Sequence, residues 1–302
     1  MTARTAARCP SCDGGVGPDD EFCEACGHRL GRAPTAVADD PDRVHSDQGR
    51  AAVVSDRGLL HEYNEDAYFL DATADRVVVV VCDGVSSSTA PALAARVGAD
   101  AAGAALRDGS PDLDAHHAMR TAIRQARAAV AAISWAPVRG HAAPSSTIVA
   151  ASCAGADVTV GWLGDSRAYW IDADDARRLT DDDSWVEEMV ATGELDEAQA
   201  ALDPRAHVIT AWLGADAPIR DARVVSFRAP RRGHLLLCSD GLWNTLAEAA
   251  AVGDAIRTAP PTASPLGLAR SLTHHALAAG GRDNITIAVV DIDPTAAKPE
   301  ES

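Results

Sequence analysis

Two apolar runs in this sequence end in the same acidic step. Val77–Val81 is followed by Cys82-Asp83-Gly84, and Leu235-Leu236-Leu237-Cys238 by Ser239-Asp240-Gly241. Each step offers a carboxylate and then a glycine whose bare backbone lets another atom come close. Asp-Gly is also a common turn pair, and one occurrence alone would be read as a turn. Three more carboxylates stand within a residue or two of an expected strand end: Asp66 in Asn64-Glu65-Asp66, Asp165 in Gly164-Asp165-Ser166-Arg167, and Asp283 in Gly281-Arg282-Asp283-Asn284. Carboxylates brought together repel unless cations neutralise them. An all-oxygen site with no histidine or cysteine partner favours Mg²⁺ or Mn²⁺ over zinc. Two such ions sharing one carboxylate would bind a water, acidify it toward hydroxide and hold it in line with a phosphorus atom. That chemistry is phosphoester hydrolysis, and it needs no protein nucleophile.

A second constellation lies near the N-terminus. Cys9-Pro-Ser-Cys12 and Cys23-Glu-Ala-Cys26-Gly27 are two Cys-x-x-Cys pairs. Two such knuckles supply the four sulfurs of a tetrahedral structural zinc site, so residues 1–32 are expected to form a small zinc ribbon with four cysteine ligands. The module has almost no core, and the metal would supply most of its folding energy. Asp13, Asp19, Asp20, Glu21 and Glu24 lie between the first and last of these cysteines, with no basic residue. That balance disfavours nucleic acid and leaves protein docking or autoregulation.

The elements that must position the aspartates follow from pattern. Five consecutive valines at 77–81 fit a strand covered on both faces. Further strands are expected at 51–55, 67–70, 146–152, 158–163, 167–171, 224–227, 235–238 and 285–292. A helix near Pro91 is expected to bury Leu93, Val97, Ala101 and Ala105. A second is expected to bury Met119, Ile123, Ala126, Val130 and Ile133 at steps of three and four. Helices are also expected at about 242–258 and 265–279. Residues 180–210 interrupt the β pattern, with a short helical stretch around Val186–Val190, and read as an ordinary insertion or a flap over substrate. Residues 33–49 carry Pro34 and Pro41 without periodicity and read as a flexible linker. The tail at 294–302 reads as disordered, which leaves 50–293 as the large domain.

Composition sets the outer bounds. The chain has 302 residues, 44 acidic against 27 basic, and a formal net charge of −17. Such a protein is a poor general binder of nucleic acid or anionic membrane. No apolar run approaches the roughly 18 residues of a membrane span, and residues 1–10 lack the apolar core of a signal peptide. A cytoplasmic monomer is the expectation. Cys82, Cys153 and Cys238 lie in apolar runs and are expected to be buried, free thiols.

The ordered segments Ser55-Asp56-x-Gly58, Asn64-Glu65-Asp66, Cys82-Asp83-Gly84-Val85, Ser146-Thr147, Gly164-Asp165-Ser166-Arg167, Cys238-Ser239-Asp240-Gly241 and Gly281-x-Asp283-Asn284-Ile285-Thr286 together resemble the metal-dependent protein phosphatase 2C family, bacterial type. The resemblance runs from about Ala51 to Asp293. It implies an α+β fold, a four-layer α-β-β-α sandwich of two antiparallel sheets flanked by helices, with the metals at one end. It implies that Asp83 bridges two Mn²⁺ or Mg²⁺ ions. The Gly84 carbonyl, Asp66 and Glu65 would serve the first ion, Asp240 and Asp283 the second, and Asp165 with Asp240 a third, weaker one. The implied reaction is hydrolysis of phosphoserine or phosphothreonine in protein, with a cognate Ser/Thr kinase or its targets as partners. Two departures bear on substrate. His61 stands where many members place a phosphate-gripping arginine. Val85-Ser86-Ser87 replaces the usual Met-Gly-Gly, which makes Ser86 and Ser87, with His61, candidate substrate contacts. These departures motivate the alternative of a catalytically weak phosphatase-fold scaffold in kinase signalling.

Overall fold

The structure is a computed structural model that describes residues 7–8, 15–16, 42–109, 114–205, 208–260 and 263–295. The chain divides into two units, Met1–Asp40 and Pro41–Ser302. In the first, β1 (Ala7–Arg8) pairs antiparallel with β2 (Gly15–Val16). Cys9, Cys12, Cys23 and Cys26 lie outside the described residues.

The second unit is built on two antiparallel sheets. One contains, in chain order, β3 (Arg43–Asp47), β4 (Ala51–Asp56), β10 (Arg167–Asp172), β11 (Ala176–Arg178), β14 (Gly233–Cys238) and β15 (Ile285–Ile292), in spatial order β11-β10-β14-β15-β4-β3. The other contains β5 (Ala67–Ala72), β6 (Arg76–Cys82), β8 (Ile148–Ala154), β9 (Asp157–Leu163) and β13 (Arg223–Arg228), in spatial order β13-β9-β8-β6-β5. A small pair, β7 (Ser145–Ser146) with β12 (Leu213–Gly214), sits beside them.

Side-chain alternation explains how the layers close. On β6, Val77, Val79 and Val81 join Val149, Ala151, Leu235, Leu237, Ala288 and Val290 in the core between the sheets. Val78 and Val80 face the other way, into the cluster under α1 (Pro91–Asp108) and α2 (Ala115–Ala131). Leu236, Cys238, Ile287 and Val289 likewise turn from the inter-sheet core to a cluster under α5 (Asp240–Trp243), α6 (Ala249–Arg257) and α7 (Pro265–Ala278). A strand buried on both faces must be apolar at every position, and these runs are. The result is the expected four layers, helix-sheet-sheet-helix. Cys82, Cys153 and Cys238 are buried and free, as expected.

Four expectations need correction. Residues 43–47 are not linker but the edge strand β3, paired with β4 over Arg43↔Asp56 to Asp47↔Ala52. Its alternating exposure explains why no apolar run announces it. On α1, Val97, Ala101 and Ala105 pack against the cluster as expected but only half-buried, Leu93 is exposed, and the fully buried face is centred one position on, at Ala94, Ala95, Gly98, Ala99, Ala102 and Leu106. Small residues give little hydrophobic signal, yet they let the helix lie close to the sheet. The expected strand at 146–152 breaks at Thr147 into β7 and β8. The helix expected at 242–258 is two, α5 and α6, separated at residues 244–248. On α2 the expected stripe holds: Met119, Ile123, Ala126 and Val130 are buried and Ile133, just past its end, packs against the same cluster.

Candidate functional site

The five aspartates come from six strand ends and turns that meet at one end of the two sheets. β6 ends at Cys82 and delivers Asp83; β5 opens at Ala67, just after Asp66. β14 ends at Cys238, so that Asp240 opens α5. β9 and β10 are joined through Gly164, Asp165 and Ser166. β15 begins two residues after Asp283. Antiparallel neighbours alternate in direction, so a strand that ends here lies beside one that begins here.

Hydrogen bonds between distant segments hold the site. Ser239 Oγ donates to Asp66 Oδ2 at 2.7 Å and accepts from Thr286 N at 2.9 Å. Asn284 Oδ1 accepts from Glu65 N at 2.7 Å, while its Nδ2 donates to the carbonyls of Arg57 and Tyr63 at 2.9 and 3.1 Å. Thr147 clasps Asp83 on both sides: its Oγ1 accepts from Asp83 N at 3.2 Å, and its N donates to Asp83 O at 2.8 Å. Trp243 Nε1 donates to the Asp165 carbonyl at 2.9 Å. Arg167 stacks on the Trp243 ring, 3.9 Å from guanidinium carbon to ring centroid, and its Nη2 meets Asp182 Oδ2 at 2.7 Å. This buried pair ties the turn at Asp165 to the root of the 184–209 excursion. There α3 (Trp185–Ala191) is capped by Ser184 and α4 (Glu197–Leu202) by Asp196.

Two glycines are required by close approach. Gly58 has φ +76°, and a Cβ on it would stand 2.2 Å from the Asp283 carbonyl. A Cβ on Gly84 would stand 2.7 Å from the carbonyl oxygens of Glu65 and Pro91. Each therefore lets two site-bearing segments touch.

The electrostatics match the arrangement. Burial and the charges of Asp66, Asp240, Asp165 and Asp283 push the Asp83 carboxyl well above the carboxylate range. Asp240 is raised by burial and by Asp283, Asp165 and Asp66. Burial lifts Asp66 to about 7 against the hydrogen bond from Ser239. Asp165 also rises to about 7, through burial and then the charge of Asp182. Two buried oxygens, Asp66 Oδ1 and Asp240 Oδ1, have no hydrogen-bond partner among the described residues. A desolvated, unpartnered carboxylate oxygen is costly unless a proton or a cation meets it. The donors are oxygens throughout, so they fit a hard divalent cation. Among the described residues no three His, Cys, Asp or Glu side chains already enclose a cation.

The remaining expected residues lie at the rim. Ser86 is exposed, and its Oγ donates to Glu65 Oε2 at 2.5 Å. Ser87 is exposed and offers its carbonyl to Ala142 N at 3.2 Å. His61 Nε2 is 3.3 Å from Asp283 Oδ1. The residue expected to grip phosphate is thus set against a carboxylate of the site. Ser239, Thr147, Asn284 and Trp243 were given no role by the sequence reading. Ser239, Thr147 and Asn284 lie inside the quoted motifs, and Ser239 and Asn284 each adjoin an aspartate, which is the one signal that could have marked them.

A protein-family model described as protein phosphatase 2C matches residues 61–274. The serine/threonine phosphatase stp of Listeria innocua is 30% identical over 244 residues, spanning 78% of this chain and 93% of that protein. The crystal structure of the Mycobacterium tuberculosis serine/threonine phosphatase PstP/Ppp is similar at TM-score 0.67 and 28% identity, covering 81% of this chain and 98% of that one. The catalytic domain of PstP in complex with two manganese ions is similar at TM-score 0.65 and 28% identity, covering the same shares. With the family model matching most of the chain, including Asp66, Asp83, Asp165 and Asp240, this chain belongs to the protein phosphatase 2C family.

Proposed function

We propose that this protein is a Mn²⁺- or Mg²⁺-dependent protein serine/threonine phosphatase that hydrolyses phosphoserine and phosphothreonine in other proteins. The carrying observation is the placement of Asp66, Asp83, Asp165 and Asp240 at one end of the sheets, all four raised by desolvation and Asp83 and Asp240 also by others of the set, with two buried oxygens left without partners among the described residues. Asp83 is proposed to lie between two ions. Asp66, Glu65 and the Gly84 carbonyl would serve one, Asp240 and Asp283 the other, and Asp165 with Asp240 a weaker third. When bound, the cations neutralise these carboxylates and lower the pKa of a water. The protein's own part is to hold the ligand set rigid. Thr147 fixes Asp83 from both sides, Ser239 orients Asp66, Asn284 binds the Asp66 segment to the start of β15, and His61 steadies Asp283.

The test is hydrolysis of a phosphothreonine peptide and of para-nitrophenyl phosphate with Mn²⁺. Asp83→Ala and Asp240→Asn are expected to lose turnover by at least about 100-fold, the scale for removing a preorganised electrostatic group. Native protein without metal-dependent turnover on either substrate refutes the reading.

Residues 1–32 are proposed to hold one structural zinc through Cys9, Cys12, Cys23 and Cys26. The spacing of the two Cys-x-x-Cys pairs supports this. One zinc per chain by elemental analysis, lost in Cys12→Ser, is the expected result. A cognate Ser/Thr kinase, a monomeric state and a cytoplasmic location complete the proposal. No helix among the described residues is long and apolar enough to cross a membrane.

A further inference from the structure

The loop from Gly58 to Asn64 carries side chains that the metal chemistry leaves unused. Leu59, Leu60 and Tyr63 are 57%, 71% and 64% exposed. They flank His61, whose Nε2 touches Asp283. Exposed apolar residues scattered singly over a surface are ordinary. Three within five residues, on a loop that borders a reaction centre, form a patch.

The loop is also held in place. Leu59 N donates to the Gly281 carbonyl at 2.7 Å, and Gly58 N to Asp56 Oδ1 at 2.8 Å. Asn284 Nδ2 grips the carbonyls of Arg57 and Tyr63. These bonds fasten the backbone on both sides of the apolar tips and join it to the segment that carries Asp283. A patch ordered in advance loses little entropy when something settles on it. The charged neighbours are mixed: Glu62 lies within the loop and Glu65 just after it, while Arg57 Nη1 donates to the Glu62 carbonyl and Arg43 Nη2 to the Gly58 carbonyl, each at 3.3 Å.

We propose that Leu59, Leu60 and Tyr63 form a specificity shelf that receives an apolar side chain next to the phosphorylated serine or threonine of the protein substrate. The proposal rests on the phosphatase reading above.

The test uses the full-length protein with Mn²⁺ and phosphothreonine peptides that differ only beside the phosphorylated residue, which carries leucine or glycine neighbours. Native protein is expected to show about tenfold higher kcat/KM for the leucine peptide than for the glycine one, the scale of one modest apolar contact. In the double variant Leu60→Ser, Tyr63→Ser, the leucine preference is expected to fall below about twofold, with para-nitrophenyl phosphate turnover unchanged. Both positions are exposed, so folding is expected to survive, and thermal melting checks it.

Equal rates on the leucine and glycine peptides with native protein would overturn the proposal, as would a preference that persists in the double variant. If a folded double variant loses para-nitrophenyl phosphate turnover, the loop serves to support Asp283 and the shelf is refuted. If native protein turns over neither the peptides nor para-nitrophenyl phosphate, the phosphatase reading fails and this proposal falls with it.

Discussion

Asp165→Asn should stabilise the metal-free protein at alkaline pH while weakening its response to metal. Asp165 is buried, and its carboxyl is raised from 3.8 to about 7 by burial and then by Asp182. The folded state therefore holds this proton more tightly than the unfolded chain does. Its contribution is fully present below about pH 4, declines as pH climbs from there toward 7, and is gone above that. Each pH unit in the window is worth about 1.4 kcal/mol, so ionising this one group in the metal-free fold costs roughly 4 kcal/mol by pH 8. Asparagine keeps the shape and leaves the main-chain bond from Trp243 intact. Urea or thermal unfolding of chelator-treated protein between pH 5 and 8.5 is the assay. Native protein should lose stability as pH rises, Asp165→Asn should lose less, and added Mn²⁺ should restore native protein more than the variant. A native apo-protein whose stability is flat or rises from pH 5 to 8, or a variant with the same pH slope, would refute the reasoning.

Asn284→Ala removes three hydrogen bonds from a residue only 3% exposed. At about 1 kcal/mol each, with buried groups left unpaired, the expected loss is roughly 3 kcal/mol, read as a lower urea midpoint together with a higher Mn²⁺ requirement for turnover. Gly58→Ala places a methyl 2.2 Å from the Asp283 carbonyl at φ +76°. The left-handed backbone alone costs about 1–2 kcal/mol, and the displaced carbonyl should also raise the Mn²⁺ needed for half-maximal activity; native-like metal dependence in a melting-competent variant would contradict that coupling.

Much of the architecture was legible because burial on two faces leaves an unambiguous mark. Val77–Val81 and Leu235–Cys238 can be little else than central strands, and the aspartates directly after them had to lie at strand ends. The edge strand Arg43–Asp47 escaped notice because one of its faces is exposed and its residues are polar. The α1 face was misplaced because alanine and glycine, which carry it, contribute little hydrophobic contrast, and Leu93 drew the pattern toward solvent. His61 was read as a phosphate contact from its position in the motif. Its 3.3 Å approach to Asp283 depends on how a loop near residue 60 folds onto the start of β15.

The chemistry of the site was therefore written in residue types: carboxylates, their adjacent glycines, and the apolar runs that set them at strand ends. The tertiary structure decided which groups serve those carboxylates. Ser239 reaches Asp66 across 173 residues of sequence, Asn284 reaches Glu65 across 219, and Thr147 reaches Asp83 across 64. Periodicity and turn chemistry act over a few residues and are visible in a linear chain. A hydrogen bond between distant segments leaves no local trace, because its energy exists only once the sheets have brought the strand ends together.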